Sequence, residues 1–113
     1  MSQKSLTYVI DIDGTICTNG ECGACKYEGS TPIKERIDTI NKLYDEGHVI
    51  KYFTARGMGR YNDNAEKAKD KFYNLTKMQL DIWGCKYHEL ILGKPSADVY
   101  IDDKGIKDND FFN

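Results

Sequence analysis

The chain has 113 residues and a mass of 12.9 kDa, the size of one domain. Hydrophobic residues make up 40% and charged residues 30%, and no apolar run reaches the length of a membrane span. This excludes a collagenous, coiled-coil, disordered or membrane-spanning chain. The net charge of −2 excludes the basic footprint of a non-specific nucleic-acid binder.

In chain order, the β-branched and aromatic run Leu6–Asp13 predicts a buried strand. It ends at Asp13-Gly14-Thr15, a turn signal. Residues 17–31, rich in glycine and cysteine, read as a loop or small hairpin. Thr31-Pro32 predicts a helix cap followed by proline at the first helical position. Ile33, Ile37, Ile40, Leu43 and Tyr44 then form an apolar stripe at helical spacing, which Gly47 closes. His48–Thr54 predicts a second strand. A helix is expected from about Asn64 to Asn74, with a further short helix capped by Thr76 and ending at Trp83-Gly84. Glu89–Leu92 and Asp98–Asp102 predict a third and a fourth strand, and Asp108 caps a last helical turn with Phe111 and Phe112.

Strands alternating with helices predict an α/β domain with a parallel sheet, over the whole chain 1–113. Such sheets bind ligands at the carboxyl ends of their strands. Those ends carry Asp11, Asp13, Thr54, Asp102 and Asp103, with Lys94 shortly before the last strand. Four carboxylates at one sheet end raise one another's pKa unless a cation intervenes, and hard oxygen donors suit magnesium. A cation, a lysine and a hydroxyl around an open centre suit a phosphoryl group, whose transfer is catalysed mainly by positioning and charge stabilisation. A carboxylate beside them can attack phosphorus.

Asp11-Ile-Asp13-Gly-Thr15, Phe53-Thr54, Lys94 and Asp102-Asp103 resemble, in order, the four motifs of the haloacid dehalogenase (HAD) superfamily of phosphohydrolases. The phrases Thr54-Ala-Arg-Gly57 and Gly93-Lys-Pro-Ser96 resemble a small subgroup of capsule and surface-polysaccharide biosynthesis. The resemblance implies a Rossmann-like sheet flanked by helices. It makes Asp11 the nucleophile and Asp13 the acid that protonates the leaving oxygen and later the base that activates water. Thr54 becomes the donor to the phosphoryl oxygens, and Lys94 the neutralising cation. It implies Mg2+ held by Asp11, the Asp13 carbonyl, Asp102 and Asp103. Arg56 has two readings, a contact to a substrate anion or a surface ion pair. With Gly57 and the loop residue Lys26 it is a candidate for substrate binding.

Only 18 residues separate Asp13 from Pro32, and 39 separate Thr54 from Lys94. The resemblance therefore implies a capless member with a short flap over 17–31. Water exclusion, which strengthens electrostatics at a site, then falls to a large substrate or to the lid of a neighbouring subunit in a homo-oligomer. The expected substrate is a small phosphorylated metabolite, a sugar or polyol phosphate, with neither nucleic acid nor membrane as partner. The rival readings are a phosphatase for macromolecular phosphates, a receiver-like phosphoacceptor and a degenerate binding module. The cysteines Cys17, Cys22 and Cys25, with Cys85, His48 or His88, also permit a zinc reading. Plain reduced thiols fit the absence of a visible secretion signal, which predicts a cytoplasmic protein.

Overall fold

The computed structural model describes residues 4–18, 29–58, 64–95 and 97–112. Its centre is a three-stranded parallel sheet in the order β1 (Thr7–Ile10), β4 (Val49–Thr54), β5 (Glu89–Leu92). In the register, Ile10 lies opposite Tyr52 and Thr54 opposite Leu92. The strands therefore end side by side, and the segments that follow them leave from one edge of the sheet. Between β1 and β4 in the chain, β2 (Cys17–Thr18) and β3 (Thr31–Pro32) pair antiparallel.

Period-two patterning decides which face of the sheet is covered. Along β4, Ile50, Tyr52 and Thr54 are buried and the residues between them are only partly so. Ile50 and Tyr52 join Ile10, Ile12, Ile37 and Ile40 of α1 (Lys34–Asp45), and Leu80 of α2 (Ala65–Ile82), in one core. Both helices thus pack into the same apolar layer, as their 3.6-residue stripes require. The fold is an α/β, Rossmann-like parallel sheet flanked by helices. The last helix, α3 (Asp108–Phe112), is anchored by Arg36, whose Nη1 donates to Asp108 at 2.7 Å. Phe111 also packs against Tyr8, with ring centroids 6.0 Å apart.

Four local expectations differ from the structure. Thr31-Pro32 does not open α1, because it is spent pairing with Cys17 and Thr18. The helix begins after Ile33, which makes no side-chain cap. The two helices expected over 64–83 are one, α2. It starts near the expected residue, and Asn64 caps it, accepting from Lys67 N at 3.1 Å. Thr76, expected to start a new helix, is instead wholly buried in mid-helix, and its hydroxyl accepts from Arg56. Finally, Asp98–Asp102 forms no strand and Ala97–Lys107 is exposed throughout, with Ile101 at 91%. Its hydrogen bonds are local: Tyr100 donates to the Pro95 carbonyl, and Asp102 accepts from the amides of Lys104 and Gly105.

Candidate active site

The site is built at the carboxyl ends of β1, β4 and β5. After β1, alternation sends Ile12 into the core while Asp11 and Asp13 stay partly accessible. The chain then turns sharply: Thr15 N and Ile16 N donate to the Ile12 carbonyl, and Gly14 sits at φ +82°. A side chain is strained there, whereas glycine is not. The turn keeps both carboxylates beside the sheet end.

Lys94 follows β5. Its backbone N–H donates to the Thr54 carbonyl at 3.1 Å, tying the loops after β4 and β5 together. Its Nζ lies 3.8 Å from Asp11 Oδ1, with side-chain exposures of 21% and 33%. Burial pushes the Asp11 carboxyl above its ordinary value, opposed by Lys94 and by the Ile12 amide. Lys94 Nζ also stands 4.3 Å from the centroid of the Tyr100 ring, a cation–π contact that orients the ammonium. The Thr54 hydroxyl is buried and accepts from Arg56 N at 3.1 Å. A hydroxyl that accepts retains a proton to donate.

Arg56 is where geometry departs most from the sequence reading. It is 1% exposed, so it is neither a surface ion pair nor a group presented to substrate. Nε donates to Asp13 Oδ2 and Nη2 to Asp13 Oδ1, both at 2.9 Å. Nη1 donates to Thr76 Oγ1 at 3.2 Å and to Gln79 Oε1 at 2.5 Å. Gly57, at φ +79°, lets the chain pass against α2. A Cβ there would lie 2.6 Å from the Phe72 ring, so Gly57 serves the backbone path. Lys26 lies outside the described residues, as do Cys22 and Cys25.

Cys17 is buried beside Asp13, its Sγ 3.5 Å from Asp13 Oδ1. Burial, with the Asp13 charge, pushes its thiol up to about 12, so the thiol keeps its proton near neutral pH. Cys85 is likewise pushed up, to about 11, chiefly by burial.

Asp102 and Asp103 do not join Asp11 and Asp13. They are exposed, Asp102 held by its own turn and Asp103 paired with Lys104 at 3.0 Å. Among the described residues no three metal-capable side chains converge. Among the described residues Asp13 is the carboxylate beside Asp11, and its two oxygens face Arg56. The Asp11 and Asp13 carboxylates and the Asp13 carbonyl are hard oxygen donors, the type that magnesium takes.

Thr76, Gln79 and Tyr100 are site-supporting residues that the sequence did not mark. Thr76 and Gln79 carried a signal: two polar residues at i, i+3 on the same helical face as buried Phe72 and Leu80. Polar groups on a buried stripe need partners, and the nearby strand end supplies one. Tyr100 carried no signal.

No protein-family model and no curated protein sequence matches the chain. The fold matches a crystal structure of a structural-genomics target from Vibrio cholerae, with a TM-score of 0.82 and 26% identity over 94% of this chain and 86% of that one. Among the described residues no helix is long and apolar enough to cross a membrane.

Proposed function

We propose that the protein is a phosphomonoester hydrolase working through an aspartyl phosphate on Asp11. The observation that carries this reading is the juxtaposition of Asp11, Asp13, Thr54 and Lys94 around one sheet end. There a half-buried carboxylate faces an ammonium at 3.8 Å. In the first step an Asp11 oxygen attacks phosphorus, the bond to the leaving oxygen breaks, and Asp13 delivers a proton to that oxygen. In the second step water attacks phosphorus while its proton passes to the Asp13 carboxylate. The Asp11–phosphorus bond breaks, and its electron pair returns to Asp11. Lys94 and the Thr54 hydroxyl offset charge on the transferring group.

The resemblance of the motifs and the acidic balance favour a small phosphorylated metabolite, a sugar or polyol phosphate of surface-polysaccharide biosynthesis, over a macromolecular phosphate. The same resemblance brings in magnesium and a neighbouring subunit as lid. A phosphate-release screen over sugar, polyol, nucleotide and amino-acid phosphates, run with magnesium and with excess chelator, tests the reading. Release from sugar or polyol phosphates, stopped by chelation, is the expected result. Activity on polynucleotide ends or phosphoproteins alone would reject the substrate class, and full activity in chelator would reject the metal.

A further inference from the structure

We infer that Arg56 is a positioning residue for Asp13, holding its carboxylate by a two-point hydrogen bond in the orientation that receives the proton of the attacking water, while Thr76 and Gln79 of α2 hold Arg56. The inference rests on the phosphohydrolase reading above and deepens it.

Three observations carry it. First, the guanidinium is fully buried, its side chain 0% exposed against 20% for Asp13. It is therefore shielded from solvent, while the carboxylate it holds reaches the site. Second, Nε and Nη2 each reach a different oxygen of Asp13 at 2.9 Å. This two-point bond opposes rotation of the carboxylate. Third, Nη1 is held from the far side by Thr76 Oγ1 and Gln79 Oε1. The plane of the guanidinium is thus set by α2, eighteen residues of helix packed on the same core. Lysine can neither form the two-point bond nor reach both supports at once.

A guanidinium only donates. It complements Asp13 as a proton acceptor, its role while water attacks the aspartyl phosphate. In that step the water oxygen bonds to phosphorus, its proton moves to Asp13, and the phosphorus–Asp11 bond breaks, leaving an Asp11 carboxylate and inorganic phosphate. Loosening the clamp therefore slows breakdown of the phosphoenzyme more than its formation.

The test compares the full-length wild type with Arg56→Lys, Thr76→Val and Gln79→Met. The last two keep Arg56 and remove only its supports, so they carry the test if Arg56→Lys does not fold. Each protein is quenched during turnover of p-nitrophenyl phosphate and of a sugar phosphate. The fraction phosphorylated at Asp11 is measured by mass spectrometry beside the rate of phosphate release. The expected result is a release rate lower by on the order of 10-fold in Arg56→Lys and roughly 3-fold in the support variants, with a larger phosphorylated fraction in all three. A merely structural role would lower release without raising the phosphorylated fraction, and that outcome, or wild-type behaviour in folded variants, overturns the inference while leaving the phosphohydrolase reading intact. A wild type that neither releases phosphate nor carries it on Asp11 overturns both.

Discussion

Two acidic pairs of the same composition meet opposite fates in this chain. Asp11 and Asp13 follow β1, of which Ile10 is buried while Thr7 and Val9 are exposed, so the strand is not the buried one that its sequence predicts; the partners of the two carboxylates come from distant elements, Lys94 after β5 and Arg56 after β4. Asp102 and Asp103 lie in an exposed segment, and their partners are Lys104 and Gly105, at most three residues away. The difference lies in the surroundings and not in the carboxylates. Burial makes an unpaired charge costly, so the first pair is built into the tertiary structure. The second is solvated and bonds to whatever backbone lies nearest.

The sharpest way to break this comparison is Arg56→Met. It removes the buried partner of Asp13 and the Nη1 contacts to Thr76 and Gln79. The expected loss is about 3 kcal/mol in urea unfolding; a midpoint within error of wild type would place Arg56 outside the structural core of the site.

A smaller effect of opposite sign is expected for Asp11→Asn. Burial raises the folded-state pKa of Asp11 above 3.8. Keeping it charged therefore opposes folding above the raised value, and that opposition fades as pH falls toward 3.8. The variant should show a higher Tm than wild type at neutral pH in chelator, by an increment that shrinks to nothing in acid. A constant increment across that range would show that desolvation is not its source.

The smallest effect belongs to the second pair. The Lys104 and Gly105 amides hold the Asp102 carboxyl below its ordinary value, yet the group is exposed and its turn is local. Asp102→Asn should leave the urea midpoint unchanged. A clear fall would mean that the segment supports the folded core.

The sequence made the sheet legible because its strands are short, apolar and bounded by turn residues. The last of the three, β5, spans the predicted Glu89–Leu92. The Asp11, Asp13, Thr54 and Lys94 cluster was legible for the same reason, since strand ends in a parallel sheet converge. What sequence could not show was competition for a single group. Thr76 reads locally as a cap, but its hydroxyl is taken by Arg56, so α2 runs through. Arg56 reads as a contact to a substrate anion or as a surface ion pair, but Asp13, Thr76 and Gln79 draw it inside. Asp98–Asp102 has the composition of a strand, but strand propensity is weak without a neighbour to pair with, and the segment stays off the sheet.

The proposed hydrolysis depends on Asp11 as nucleophile. Folded wild-type protein, quenched during turnover of an active substrate from the screen, should carry the phosphoryl group on Asp11. Asp11→Asn, folded by circular dichroism, should carry none and release phosphate on the order of 10^3-fold more slowly. Label on another residue, or near-normal release by folded Asp11→Asn, would contradict it.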